Sequence, residues 1–213
     1  MKKLLLGAAT ALTALTLAPS ANAQVVGKAG QAALPFATLS TAGLNNGALA
    51  SLVGGTIFTS DQPFADIPKG GISGGNFLAV GPTAGEPATL TFNQPVNLFG
   101  FLIGSPDSYN QVTITSTLGA FIFTPTSLGL STTGDQTLSQ YVNFSTTTAG
   151  ERILFATFNN VPAVNAFETA NFSAAFTGAV PEPTAWAMMI IGVGAIGLAM
   201  RRQNKATRVS YAV

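Results

Sequence analysis

Residues 88–117 read ATLTFNQPVNLFGFLIGSPDSYNQVTITST and carry the clearest strand pattern of the chain. Apolar residues alternate with threonines in its first and last segments, ATLTFNQ and QVTITST, as expected for β-strands that bury one face. The segment between them, NLFGFLIG, is almost continuously apolar, which is typical of a central strand. The stretch therefore predicts several consecutive β-strands.

The same pattern continues on both sides of this stretch. Strands are predicted in LVGGTIFTS (residues 52–60), GAFIFTP (119–125), RILFATF (152–158) and NAFETANFSAAFT (165–177), with turn signals such as NNG, KGG, SGG and TTGD between strands. Only residues 29–43 could hold a short helix. Roughly eight to ten strands without helical crossovers predict an all-β fold, an antiparallel, jelly-roll-like β-sandwich over residues 24–179.

The core is expected to consist of apolar residues from these strands. The predicted core residues are Phe92, Phe99, Phe101, Ile103, Val112, Ile114, Phe121, Phe123, Leu154, Phe155 and Phe167.

The composition excludes several classes of function. The chain has no cysteine, so a disulfide framework and a cysteine-ligated metal site are both excluded. It also has no histidine, the commonest general base and metal ligand. Residues 24–179 contain three basic and seven acidic side chains, a net charge of −4, which argues against binding of nucleic acid.

The first 23 residues have the three parts of a secretory signal peptide. Lys2 and Lys3 form a basic region, residues 4–18 are apolar, and a small-x-small cleavage site follows. We therefore expect export through the Sec translocon and removal of residues 1–23 by signal peptidase. The residues that define the cleavage are Ala21, Ala23 and Gln24.

The last segment, VPEPTAWAMMIIGVGAIGLAMRRQ (residues 180–203), has two interpretations. Its Gly-x-Gly-x-x-Gly spacing is that of a dinucleotide-binding turn, but no strand precedes it and too few residues follow to complete a βαβ unit. Residues 184–200 are uncharged, would cover about 25 Å as a helix, and are followed by arginines. A transmembrane helix with a basic cytoplasmic tail at 204–213 is therefore the prediction.

The tail resembles the PEP-CTERM sorting signal of Gram-negative bacteria, in the variant with Pro-Glu-Pro-x-x-Trp-Ala. The resemblance implies recognition and cleavage by an exosortase, with a transient inner-membrane anchor followed by transfer to the cell surface or secretion. The chain continues further beyond the arginines than is usual in the family. The matching residues are Pro181, Glu182, Pro183, Trp186, Ala187, Met188, Met189, Gly192, Gly194, Gly197, Arg201 and Arg202.

Three segments of the middle region also resemble the ectodomains of PEP-CTERM surface proteins. They are FGFLIGSPDSYNQVTITSTLG (residues 99–119), YVNFS (141–145) and NAFETANF (165–172). The resemblance implies a sandwich without an assigned catalytic activity, and an association with extracellular polysaccharide in a biofilm matrix.

Two patterns could indicate a hydrolase. Residues 71–75 fit the Gly-x-Ser-x-Gly nucleophile elbow around Ser73, but no histidine is present to accept the serine proton, and Lys69 is expected to be exposed. Glycoside hydrolysis needs two facing carboxylates, and nothing in the sequence pairs the candidates. These candidates are Asp107, Asp135, Glu151 and Glu168.

Calcium is the metal that suits this composition, because it takes oxygen ligands and needs neither cysteine nor histidine. Asp107 and Asn110 in SPDSYN, with Glu168 and Asn171 in FETAN, form a candidate site if the two segments lie on neighbouring strands. The alternative is that Asp107 and Asn110 only form a turn through bonds from side chain to main chain.

The leading interpretation is an exported, non-catalytic surface or matrix protein. The alternative is a glycan-binding jelly-roll module, which is less favoured because tyrosine and tryptophan stacking faces are few; a hydrolase is less favoured still. The aromatic residues of these two types are Tyr109, Tyr141, Trp186 and Tyr211.

Overall fold

The computed structural model describes residues 24–176 and 190–194. Within these residues the protein is all-β, with thirteen strands, a three-residue 3-10 turn at Ser73–Gly75 and a helical segment at 190–194. The strands are β1 (Val25–Ala29), β2 (Leu39–Ser40), β3 (Gly43–Leu44), β4 (Ala50–Val53), β5 (Thr56–Phe58), β6 (Phe77–Val80), β7 (Ala88–Val96), β8 (Leu98–Gly104), β9 (Asn110–Ser116), β10 (Ala120–Phe123), β11 (Ser139–Thr146), β12 (Ile153–Asn160) and β13 (Phe167–Ala175).

The strands form two antiparallel sheets, which confirms the predicted β-sandwich. The first sheet has the order β1-β11-β8-β13-β6-β5, and the second has the order β10-β9-β12-β7-β4-β3-β2. From β6 onward the strands form nested antiparallel pairs: β9 pairs with β10, and around them β8 pairs with β11, β7 with β12 and β6 with β13. Three of these four pairings therefore join segments that are far apart in the chain.

The core between the sheets is rich in phenylalanine. Phe101 of β8 lies 5.1 Å, between ring centroids, from Phe158 of β12 in the opposite sheet. Phe99, Phe144 and Phe172 also lie within 6 Å of Phe101. Such aromatic pairs add to the stabilisation that burial of their apolar area provides.

A second apolar cluster lies on the opposite face of the first sheet. Along β6, Leu78 and Val80 belong to the inter-sheet core, whereas Phe77 and Ala79 pack in a separate cluster with Phe58, Phe64, Ile67 and Ile72. Because strand residues alternate between faces, the long connection from β5 to β6 covers this outer face. This explains why every residue from Phe167 to Ser173 of β13 is buried.

The prediction of a single strand over residues 52–60 is wrong, because β4 ends at Val53 and β5 begins at Thr56. Gly54 and Gly55 have φ angles of +80° and +66°, and they turn the chain from β4 in the second sheet to β5 in the first. A Cβ on Gly54 would collide with the main-chain oxygen of Pro87, so only glycine fits this corner.

The core prediction is wrong at Leu154 and Phe155, which are half-buried and lie outside the inter-sheet cluster. The pairing of β12 shifts register between Ile153 and Phe155, and this irregularity changes which residues face inward. Phe158 occupies the core in their place. Phe121 and Phe123 are half-buried but pack against the core as expected, and the remaining predicted core residues are buried.

The sequence also predicted helical or apolar segments outside the sandwich strands. Residues 29–43 form no helix and contain only short strand segments, which corrects that expectation. The predicted signal peptide lies outside the described residues, as does most of the predicted transmembrane helix. In the described part of the chain, no helix has the length and hydropathy needed to cross a membrane.

Replacing Phe101 by alanine tests the inter-sheet core. We expect Phe101→Ala to lower the free energy of unfolding of residues 24–179 by roughly 3–5 kcal/mol, because a buried ring is removed and a cavity remains. Chemical denaturation measures this loss. Ile122→Ala is the control, because Ile122 is 63% exposed on β10 and surface changes usually cost about 0.5 kcal/mol or less. Equal losses in the two variants would contradict the assigned core.

Candidate functional site

An acidic cavity of about 270 Å³ lies beside the first sheet. Three carboxylates line it: Asp66 from the β5–β6 connection, Asp107 from the β8–β9 turn and Glu168 from β13. Four of the nine remaining lining residues also have polar side chains, and the cavity exposes little apolar surface. These four residues are Gln62, Ser105, Gln136 and Asn165.

Asp107 is positioned by its own turn. Its main-chain N–H donates to Asn110 Oδ1 at 2.8 Å, and the Asn110 N–H donates back to its main-chain oxygen at 3.2 Å. Its side chain accepts a hydrogen bond of 2.6 Å from the Tyr109 hydroxyl. Burial raises the pKa of Tyr109, and the hydrogen bond to Asp107 and the charges of Asp107 and Glu168 raise it further. Tyr109 therefore remains a donor to Asp107.

Glu168 is the buried acid of the cavity, with only 4% of its surface exposed. It points away from the inter-sheet core, under the β5–β6 connection, and its Oε2 accepts a hydrogen bond of 3.3 Å from Ser105 Oγ. Desolvation by burial raises its pKa from 4.5 to about 8; hydrogen bonds from main-chain groups and Ser105 oppose the rise, and the charge of Asp66 adds to it. At neutral pH this carboxyl group is therefore mostly protonated.

Only two of the four residues predicted to bind calcium lie at the cavity. Asp107 and Glu168 line the cavity, whereas Asn110 and Asn171 do not. Asn110 is buried; its Oδ1 holds the Asp107 turn and its Nδ2 donates to Asn160 at 3.1 Å. Across residues 24–176 and 190–194, no three acidic side chains come close enough to hold a metal ion together.

Asn171 fixes a loop on the sheet. It has a φ of +52°, and its Oδ1 accepts a bond of 2.6 Å from the Ser73 N–H. Its Nδ2 donates to the Gly71 carbonyl at 3.0 Å and to the Tyr141 hydroxyl at 2.7 Å. Asn171 thus organises the glycine-rich loop that contains Ser73.

That loop does not form a nucleophile elbow. The elbow requires a turn from a strand into a helix, but Ser73 begins a 3-10 turn of three residues that is followed by extended backbone at Asn76. Ser73 and Lys69 are both exposed, as the sequence predicted for Lys69.

The other two candidate carboxylates lie away from the cavity. Asp135 is exposed, and hydrogen bonds from the Thr137 hydroxyl and main-chain N–H lower its pKa. Glu151 is fully buried and bonded to Ser116 and Gln24. Sequence reasoning missed Asp66, because only the fold of the long β5–β6 connection brings it to Glu168.

The tyrosines of the described region are already engaged. Tyr141 stacks on Phe36 with ring centroids 6.0 Å apart and bonds to Asn171, and Tyr109 bonds to Asp107. Both hydroxyl groups and the ring of Tyr141 thus serve internal contacts, which reduces what the tyrosines offer to a bound sugar.

One comparison with known proteins gave a match. Residues 179–203 match the family model described as the PEP-CTERM protein-sorting motif. The comparisons with curated proteins and with solved structures gave no match. The predicted sorting motif is therefore confirmed, and it implies export, sorting to the cell surface and an exosortase as the processing partner. Of its matching residues only Gly192 and Gly194 fall in the described segment 190–194, which is helical and open to solvent at Ile190, Ile191 and Val193.

The raised pKa of Glu168 predicts a pH-dependent stability. The folded state holds a proton that the unfolded chain releases above pH 4.5, so this contribution is complete below pH 4.5 and is lost as pH rises through about 8. We expect the free energy of unfolding to fall by about 1.4 kcal/mol per pH unit in this interval, and Glu168→Gln to remove the slope.

Denaturation of residues 24–179 at several pH values between 5 and 8 measures this effect; the control Asp135→Asn changes an exposed acid whose pKa is lowered. The control should keep the slope of the unmodified chain. An unchanged slope in Glu168→Gln would show that this carboxyl group is ionised in the fold.

Proposed function

We propose that this protein is an exported surface or matrix protein whose β-sandwich is a non-catalytic ectodomain, delivered and released by exosortase-dependent processing. The observation that carries the proposal is the sorting motif at residues 179–203, placed directly after the last strand of an all-β domain. The described domain ends at residue 176, three residues before the motif begins.

The strand order supports a jelly-roll assignment. A jelly roll has eight strands in two sheets and Greek-key connections. Here β6 to β9 alternate between the sheets, β10 pairs with β9 in the same sheet, and β11 to β13 alternate again, so that the eight strands form four nested antiparallel pairs. The shorter strands β1 to β5 extend the sheets at their edges.

Transient anchoring in the inner membrane is the route that we propose for delivery. Support comes from the basic and apolar order of residues 1–23 and from the uncharged stretch 184–200, which is followed by Arg201 and Arg202. Basic residues beside both apolar segments place both flanks in the cytoplasm, so residues 24–179 cross to the other side.

The residues that catalysis would need support the proposal of a non-catalytic domain. The chain has no histidine, Ser73 lies in an exposed loop, and Glu168 is held in a buried, hydrogen-bonded position. Association with exopolysaccharide is proposed from the resemblance to other sorted surface proteins, and no contact within the domain argues for it by itself.

Processing is the direct test of the proposed function. In a host that has an exosortase, we expect the released protein to begin at Gln24 and to lack Trp186, because cleavage occurs at or near Pro181-Glu182-Pro183. Intact-mass spectrometry of the released and membrane fractions measures both ends. Replacing the three motif residues by alanine should keep the tail and retain the protein in the membrane fraction. Released protein that still contains Trp186 would refute the sorting proposal.

The acidic cavity favours one alternative function, a glycan-binding module. Hydroxyl groups of a sugar would find hydrogen-bonding partners in Asp66, Asp107 and Gln136, although stacking faces are scarce. A glycan array probed with residues 24–179 separates the two functions, and we expect no ligand that depends on the cavity. Binding that is lost in Asp107→Asn and kept in Asp135→Asn would establish the alternative instead.

A further inference from the structure

A buried carboxylate lies at the beginning of β12, remote from the acidic cavity. Glu151 is 0% exposed, and each of its two oxygens accepts a short hydrogen bond. Ser116 Oγ donates to Oε1 at 2.6 Å, and the main-chain nitrogen of Gln24 donates to Oε2 at 2.9 Å. The second bond joins residues 127 positions apart in the chain.

Among the residues that the structure describes, no cationic side chain forms an ion pair with this carboxylate. Residues 24–176 contain three basic residues, Lys28, Lys69 and Arg152, and none of them forms an ion pair with Glu151 in the described part of the chain. Arg152, its neighbour in sequence, directs its guanidinium to the Glu151 main-chain oxygen at 2.7 Å. A buried carboxylate without a cationic partner is costly. The Gln24 nitrogen contacts this carboxylate, so a positive charge on that nitrogen would offset the cost.

Gln24 is held in place by several groups besides Glu151. Its main-chain oxygen accepts a bond of 3.1 Å from the Thr147 N–H, and its side-chain oxygen accepts one of 2.9 Å from Thr147 Oγ1. The next residue, Val25, begins β1 and pairs with Thr146 of β11. The position of the Gln24 nitrogen beside Glu151 is therefore fixed by strand pairing.

We propose that removal of residues 1–23 creates the missing cation: the new α-ammonium group of Gln24, an exposed residue, becomes the counter-ion of the buried Glu151. The inference rests on the proposed function, which places signal-peptide cleavage between Ala23 and Gln24. Hydrolysis of that peptide bond consumes one water molecule, leaves a carboxylate on Ala23, and gives Gln24 an amine that is protonated to ammonium. A neutral amide donor is thereby exchanged for a charged donor, which forms a stronger bond to a carboxylate.

Through this pairing, removal of residues 1–23 stabilises the folded domain. Before cleavage, Glu151 has a neutral N–H from Gln24; after cleavage, it has a full positive charge at the same partly buried contact. The pair ties the edge strand β1 to the chain just before β12, and thus connects the first sheet to the second.

The test uses the full mature chain, exported to the periplasm of a host without exosortase and extracted in detergent, with its first residue verified by mass spectrometry. An amine-reactive ester is applied at neutral pH, and labelling of the N-terminal peptide is followed over time. Because pairing with Glu151 raises the pKa of the α-amine, we expect labelling on the order of tenfold slower than in Glu151→Gln, the factor that one pKa unit gives. Asp135→Asn, a change of the same kind on the surface, should label as slowly as the unmodified chain.

A second variant keeps Glu151 and so avoids the danger that Glu151→Gln fails to fold. Two alanines inserted between Ala23 and Gln24, with cleavage kept after Ala23, move the new amine away from Glu151. We expect this amine to label at the rate of an ordinary N-terminus and the thermal midpoint at neutral pH to fall. The midpoint of the unmodified chain, unlike that of the insertion variant, should fall as pH rises through the raised pKa of the amine.

The outcomes separate this inference from the proposed function. A chain that begins at Gln24 but labels equally fast in all variants overturns the ion pair and leaves sorting intact. Cyclisation of Gln24 with loss of ammonia also overturns the ion pair, because it removes the charge. A chain that begins at another residue overturns both the ion pair and the proposed cleavage site.

Discussion

Phenylalanine rings packed between the two sheets hold the sandwich together. Phe101 of β8 meets Phe158 of β12, and Phe144 and Phe172 complete the contact from β11 and β13. The nested strand pairs become stable only when both sheets are present, because each sheet has an apolar face that the other must cover. This contact therefore stabilises long-range pairings that local sequence could not stabilise alone.

Buried polar side chains hold the loops and turns that lie outside this core. Asn171 holds the glycine-rich loop, Asn110 holds the β8–β9 turn, and Glu168 lies under the β5–β6 connection. Because these groups are buried, each must find a partner to offset the loss of water. The acidic cavity is a consequence of this arrangement, since the connection that covers the outer face of the first sheet brings Asp66 to Glu168.

The sequence predicted the features that depend on local pattern. Alternation of apolar residues and threonine located β7 and β9, and the linear motif at residues 179–203 was readable because its recognition depends on residue order. Features that depend on distant contacts were missed: the register shift in β12, the corner at Gly54 and Gly55, and the bond between Gln24 and Glu151. The candidate calcium ligands were chosen by residue type, and residue type does not show that Asn110 and Asn171 are needed to hold turns.

The central position of β13 has a mechanical consequence for any force that acts on the C-terminal end of the domain. This strand lies between β8 and β6: it pairs with β8 at residues 168–170 and 173–175, and with β6 at residues 167–169. Tension applied beyond Phe176 loads these ladders along the strand direction. Rupture then requires many bonds to break in shear at once, whereas an edge strand such as β1 could peel away bond by bond. The chain thus carries its sorting signal at the end of a strand that resists being pulled out.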